Sequence, residues 1–480
     1  MYIFVTLPAQ NRYMAKSKLE EIVEKLSEKE RQRFELYLDS PFFKVDGLTK
    51  SMFKALTTSP IKQNNFKEEL FSRAFKERAY DDKQMRYYIS NLNKHLETFL
   101  SIQQLEKDPT LSDHLVATVY AERDCEKSFL MLGHEISGQT ELADATTTLD
   151  KYRYAELFLN YTGKKLSGKS TPDYTDTLFY LDSFYLLKKL QLSCELTNLA
   201  NILQKQYKIQ LSDELKSLAQ TEPFQKNPAI QIYSHILNFL MNAADEESFL
   251  KSIGLVKEHA HLFKPGEVAE LYQYIKNYCV RKINQGNRDY LRSLFDIFKT
   301  MLSNKPLMRH DYLSQWEFKN IVSISLRLNE KKWCEEFIAK YIHYLKPEEQ
   351  SNALAYNLAY SYFIDDDYKK SIRKLQEVEL KDVFYQLDAR VILLKCYFEL
   401  DDYDSFFYQV SSFRLFLLRN KSVSEYQKNI NRNLISFLAA IMRAGSSKAK
   451  LRKIKTEIEA EKNVADLNWL MNKVSIALGE

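Results

Sequence analysis

"NLAYSYFIDDDYKKSIRKL", residues 357 to 375, and "ILLKCYFELDDYDSFFYQV", residues 392 to 410, superpose with a shift of 35. Tyr362 falls on Tyr397, Asp367 on Asp402 and Tyr368 on Tyr403. A weaker third copy, "LRLNEKKWCEEFIAKY" (326 to 341), places Trp333 another 35 residues upstream of Tyr368. A period in the thirties is the length of two helices with their connections. Within each copy the apolar residues recur at three- and four-residue spacing, and the acidic residues between the halves suit a turn that caps the second helix. The repeat therefore predicts stacked helical hairpins.

Composition carries that reading to the whole chain. Glycine and proline number 10 each among 480 residues, against 31 tyrosines and 29 phenylalanines. Doubly wound α/β folds need glycine at their turns, whereas helix interiors disfavour both glycine and proline. With 45% apolar residues the chain can bury a large core, which excludes disorder as its ground state. Leu19, Ile22, Val23 and Leu26 form an apolar helical stripe, and Ser27 with Glu30 forms a capping box for the next helix. Residues 80–106 read as one long helix opened by Asp81 or Asp82, with Met85, Leu92, Leu96 and Phe99 inward. No segment shows convincing strand alternation. Prolines punctuate the pattern: Pro109, Pro228, Pro265, Pro306 and Pro347 fall in apparent connections, the last three 41 residues apart each time.

The expected fold is all-α, with helical hairpins stacked as a solenoid behind an N-terminal helical region. Residues 1–106 form that region, 107–265 irregular hairpins, 266–445 regular repeats and 446–480 a basic C-terminal helix. Met14 reads as the natural start, because "MAKSKLEEIVEKL" opens a clean amphipathic helix that residues 1–13 do not extend. The five cysteines are tens of residues apart and read as reduced, mostly buried small residues. No apolar run reaches the roughly 18 residues of a membrane span, "ISFLAAIM" (435 to 442) being among the longest. The apolar N-terminal run is too short for a signal peptide, so the expected compartment is the cytoplasm.

The first repeat copy resembles a tetratricopeptide repeat. Leu358 and Tyr362 fit the first-helix pattern, Asp367-Tyr368 the turn, and Ala359 and Ser371 the small residues that let paired helices approach. In the second copy Leu393 and Tyr397 match, Leu394 and Phe406 replace small residues, and the early Trp is Ala355 in one copy and Arg390 in the other. The match covers about residues 315–415. A second resemblance rests on "SPFF" (40 to 43), "MRYYISNLNKHLETFL" (85 to 100), "NYCVRKINQGNRDYL" (277 to 291) and "QWEFKNIVSISLRL" (315 to 328). These are similar to an uncharacterised bacterial family of helical-repeat proteins, which implies the fold and no chemistry.

Several motifs compete for function. Gly163, Gly168, Lys169 and Ser170 match the phosphate-cradling loop. That loop needs a strand before it and a helix from its Lys-Ser, whereas "LDKYRYAELFLNY" (149 to 161) has helical spacing and Pro172 interrupts the helix that the phosphate would need. A flexible basic connection is the preferred reading, and nucleotide binding the lesser one. Asp365-Asp366-Asp367 offers carboxylates to a cation, but its recurrence as Asp401-Asp402 makes it a capping turn. "HAH" (259 to 261) lacks the further ligands zinc requires, so no metal and no cofactor is expected. No hydrolase signature is present, and the chain is read as non-catalytic. In "INQGNRDYL" (283 to 291) Gly286 ends one helix in the left-handed conformation, and Asn284, Gln285, Asn287 and Arg288 crowd the junction as structural caps or as a polar contact for a partner.

Charge is uneven. The chain totals +5, yet residues 413–455 hold 11 Lys or Arg against the single acid Glu425. Lys448, Arg452 and Lys455 share one helix face, opposite Leu451, Ile454 and Ile458, and such a face attracts phosphate or acidic protein. The first helices of stacked pairs line an extended groove, and the positions expected to face it are Tyr356, Asn357, Tyr360, Lys395 and Glu399. Some tetratricopeptide domains clamp a carboxylate with Lys and Asn; Asn357 fits that resemblance, and Tyr356 stands where Lys would be. The expectation is a scaffold holding a protein or peptide partner in the groove, with nucleic-acid binding through 413–455 as the alternative.

Overall fold

The computed structural model describes residues 17–58, 66–76, 78–138, 144–165, 173–203, 207, 209–303, 308–309, 312–378, 382–461 and 463–480. The protein is all-helical. Among these residues there are 23 α-helices and one two-residue antiparallel ladder, Met308–Arg309 against Tyr312–Leu313. Two compact units divide at Lys188 and Lys189, within one long helix.

In the first unit, α1 (Lys18–Lys25) and α2 (Glu28–Asp39) each begin with a reciprocal capping box, Ser17 with Glu20 and Ser27 with Glu30. They pack with α3 (Gly47–Thr58), α4 (Phe66–Ala74) and α5 (Asp82–Glu106). The Asp81 carboxylate accepts the N–H groups of Lys83 and Gln84, which fixes the start of α5 where the sequence predicts it. Phe34, Phe53 and Phe99 meet in the centre, with Phe34 edge-on to Phe53 at 4.8 Å between centroids. Such a pair adds about 0.5–1.5 kcal/mol beyond its burial. A second core joins α6 (Pro109–Glu122), α7 (Glu126–Ser137) and α8 (Ala145–Lys165) through Phe129, Ile136, Tyr154 and Tyr161. Gly133 of α7 lies against the Tyr154 ring, whose hydroxyl oxygen would sit 1.6 Å from an added Cβ.

Helix α9 (Thr175–Leu203) carries the division. In the second unit it is followed by α10 (Ser212–Ala219), α11 (Pro228–Met241), α12 (Glu246–His259), α13 (Pro265–Asn284), α14 (Tyr290–Ser303), α15 (Gln315–Arg327) and α16 (Lys331–Tyr341). Then come α17 (Pro347–Ile364), α18 (Tyr368–Gln376), α19 (Val383–Glu399), α20 (Tyr403–Arg419), α21 (Glu425–Ala444), α22 (Lys448–Ala460) and α23 (Leu467–Leu478). From α11 to α22 each odd helix packs on the even helix that follows it, and α15, α17 and α19 lie side by side.

One turn recurs between paired helices. Asp124, Gly286, Asn329, Asp366 and Asp401 each have positive φ. The residue after each donates its N–H to a carbonyl five residues earlier: Cys125 to Tyr120, Asn287 to Lys282, Glu330 to Ser325, Asp367 to Tyr362 and Asp402 to Tyr397, all at 2.9 to 3.1 Å. This closure satisfies carbonyls that a helix end leaves open. Asp367 and Asp402 then cap α18 and α20, accepting from Lys370 and Ser405. The prolines need a correction: Pro109, Pro228, Pro265 and Pro347 are the first residues of helices, where the missing N–H is not required, rather than parts of connections. Pro306 lies outside the described residues. Among the described residues no helix is long and apolar enough to cross a membrane.

Candidate functional site

Small residues decide which side of α17 is free. Ser371 of α18, fully buried, donates its hydroxyl to the Ala359 carbonyl at 2.8 Å, so the two helices approach closely, as the repeat pattern predicts. Tyr356, Asn357, Tyr360 and Phe363 of α17 then line a cavity of about 1310 Å³ within the second unit. Its other walls are α9, α11, α13, α15, α19, α21 and α23, together with the loops before α14 and α23. None of its lining residues belongs to α10, α12, α14, α16, α18, α20 or α22.

The lining is mixed, with apolar side chains such as Ile202, Val280, Leu387 and Val391 beside polar and charged ones. Arg281, Arg288, Lys319, Arg327 and Lys395 face it, against two acids, Asp388 and Asp466. Lys319 of α15 is ion-paired with Asp388 of α19, and Lys395 of α19 with Asp466 before α23 at 2.5 Å. The Lys395 ammonium lies 4.4 Å from the centroid of Trp469, and Lys319 lies 4.9 Å from Trp316 and 5.3 Å from Tyr385. Aromatic faces thus replace part of the water that each buried ammonium gives up. The Lys395 charge holds the Asp466 carboxyl far below the usual carboxylate range. Arg281 donates to the Phe239 carbonyl at 3.1 Å. Neither Arg288 nor Arg327 forms an ion pair among the described residues.

Asn357 is 1% exposed, and its amide nitrogen donates to the Ala353 carbonyl at 2.7 Å while Oδ1 has no partner among the described residues. Burial pushes the phenol of neighbouring Tyr356 well up from its ordinary value. Asp466 sits at φ 50° and, unlike Asp367 or Asp402, does not cap its helix; its carboxylate turns to Lys395 instead.

Of the predicted groove residues, Tyr356, Asn357, Tyr360 and Lys395 come together in this cavity. Glu399 is not among its lining residues and pairs with Lys473 of α23 at 2.6 Å. From the predicted junction, Gln285 and Arg288 reach the same cavity, while Asn287 caps the turn by accepting the Asp289 N–H. Gly286 has φ 98°, as predicted; the side chain of Asn284 lies outside the described residues.

On α22, Leu451, Ile454 and Ile458 are buried and Lys455 is ion-paired with Glu480, while Lys448 and Arg452 are exposed. Elsewhere in the basic segment Lys428 pairs with Glu425 at 2.8 Å and Arg443 stacks over Phe407. Gly163 is an ordinary residue of α8, so a helix and not a strand leads into the phosphate-loop match; Gly168, Lys169 and Ser170 lie outside the described residues. The capping reading of the acidic triplet holds for Asp367, and Asp365 pairs with Lys331. Among the described residues no three His, Cys, Asp or Glu side chains converge as a metal site. Four of the five cysteines are buried, and all are free.

The sequence reading missed Lys319, Arg327, Asp388 and Asp466. Lys319 and Arg327 sit in "QWEFKNIVSISLRL", whose only visible signal was family resemblance, and Asp466 lies 71 residues from its partner. No protein-family model, no curated protein and no solved structure matches this chain.

Proposed function

We propose that this chain is a cytoplasmic, non-catalytic helical-repeat scaffold with tetratricopeptide-like geometry, holding a protein or peptide partner in the cavity of its second unit. One observation carries the reading: the cavity is lined by alternate helices, α9 to α23, and by none of those between them. A stack of hairpins that turns one helix of every pair inward offers a continuous inner surface to a partner. Tyrosines on that surface give a partner large contact area with a hydrogen-bonding tip. The kinship suggested by the repeat motifs, with tetratricopeptide proteins and with a bacterial helical-repeat family, is part of this proposal.

The test is affinity capture from native lysate, with and without nuclease, using wild type and Tyr360→Ala. Recovery of the same protein in both nuclease arms, lost in the variant while its helical circular dichroism is unchanged, supports the scaffold. Capture that collapses on nuclease treatment and is indifferent to Tyr360 transfers the function to the basic 413–455 segment.

A further inference from the structure

Resting on that reading, we infer that the cavity takes an extended, acidic peptide segment and recognises it through its backbone. The first observation is the density of carboxamides. Asn198, Asn201, Asn277, Asn357, Asn431 and Asn472 line the cavity from α9, α13, α17, α21 and α23. An asparagine side chain presents one carbonyl acceptor and an N–H donor, the same pair that every peptide unit carries. Carboxamides on successive walls therefore match a chain whose side chains vary and whose backbone does not.

The second observation is Asn357 itself. Its nitrogen is committed to Ala353, and its buried Oδ1 has no donor among the described residues. A buried acceptor without a partner is costly, and a backbone N–H arriving in the cavity removes that cost. The other amides are partly engaged in ways that fix their orientation: Asn277 donates to Asn198 at 2.9 Å, Asn201 to the Leu240 carbonyl and Asn431 to the Gln427 carbonyl.

Charge selects the acid. Both lining carboxylates are already held by Lys319 and Lys395, whereas Arg288 and Arg327 form no ion pair among the described residues, the Arg327 charge acting on Asp466 only from beyond pairing distance. A guanidinium presents a planar fork of donors that fits a carboxylate. A nucleic-acid strand fits less well, because phosphate-tracking grooves use runs of cations and this lining disperses its cations over α13, the loop before α14, α15 and α19. A small molecule also fits less well: about 1310 Å³ exceeds the usual pocket for one.

The experiment uses the immobilised full chain and random-sequence peptide pools of about eight residues, which reach roughly 27 Å when extended. One pool has free C-terminal acids, one C-terminal amides and one N-methylated backbones, with random single-stranded RNA as a fourth probe. Wild type is expected to retain the first two pools with enrichment of Asp and Glu and to lose the N-methylated pool. Greater retention of the acid pool than of the amide pool assigns the carboxylate to the peptide's C-terminus; equal retention assigns it to side chains.

Asn357→Leu should weaken all retained peptides about tenfold, the loss expected of a buried hydrogen bond, and Arg327→Gln should erase the acidic enrichment while neutral peptides stay. Equal retention of N-methylated peptides overturns the backbone inference and leaves the scaffold reading intact, and that arm needs only wild type. Retention of RNA in place of peptide overturns it in favour of a nucleic-acid groove. Retention of neither overturns both the inference and the peptide-groove reading beneath it.

Discussion

At the scale of single residues, Asp466 shows a side chain diverted from its local task. A helix N-cap in the left-handed region gives up about 1 kcal/mol of capping and takes on about 1–2 kcal/mol of backbone strain. The ion pair with Lys395, which is 5% exposed, offsets this. Asp466→Asn keeps the shape and removes the charge, and we expect it to destabilise the fold by about 1–3 kcal/mol in urea titrations, below the range for a fully buried pair because the Asp466 side chain is about half exposed.

The sign with pH comes from the depressed carboxyl. Its contribution is present above the unfolded value of 3.8 and is lost as pH falls through the lower folded value. The gap between wild type and Asp466→Asn should therefore be constant near neutrality and close only in strong acid. Two glycines give a second residue-level contrast. Gly133→Ala drives a Cβ into the Tyr154 ring and should cost about 1–3 kcal/mol, or more if the ring cannot move. Gly286→Ala meets nothing within 4 Å and should cost only the left-handed backbone penalty of about 1–2 kcal/mol. Gly286 was legible in the sequence because its cause is local. Gly133 was not, because its cause is a ring on another helix.

At the scale of elements, the recurring turn explains why pairs of helices form at all. Its left-handed position is held by glycine once, by asparagine once and by aspartate three times. Aspartate tolerates that conformation less well than glycine, so Asp401→Gly should stabilise the chain by about 0.5–1 kcal/mol in thermal or urea unfolding. The turn was partly visible in advance: the repeat placed Asp367 and Asp402 as caps, and both cap. The register of the third copy was not. Sequence similarity set Trp333 on Tyr368, yet Trp333 is the third residue of α16 and Tyr368 the first of α18. The capping positions Glu330 and Asp367 are 37 residues apart, not 35, because aromatic matching tracks the helix faces whereas the left-handed residue fixes the turn.

At the scale of the whole molecule, burial lowers the protonation of His95 and His114 in the first unit and of His235 in the second below the ordinary value of 6.5. A histidine that binds its proton less readily when folded supports stability above its unfolded value and withdraws it as pH falls. The melting temperature should accordingly drop between about pH 7 and pH 5, and combining His114→Gln with His235→Gln should flatten that slope. The helical class was readable across the chain because periodicity and glycine scarcity are distributed signals. The cavity was readable where a repeat exposed it, on α17 and α19, and at the junction before α14, from which Gln285 and Arg288 reach it. Its other walls come from helices whose inward faces become a surface only on stacking, and no local pattern marks Lys319, Arg327 or Asp466.

The two ion pairs that tie α19 to α23 and to the residue before it, Glu399 with Lys473 and Lys395 with Asp466, also set how the molecule yields to force. Load applied at the C-terminus reaches α23 first, and α23 is anchored four helices back. The last turns cannot peel off singly, so the first rupture in an optical trap should release the chain beyond Glu399 in one step of about 280 Å, reckoned at roughly 3.5 Å per extended residue. Lys395→Met with Glu399→Gln should replace that step with shorter ones at lower force, converting a latch into a zipper.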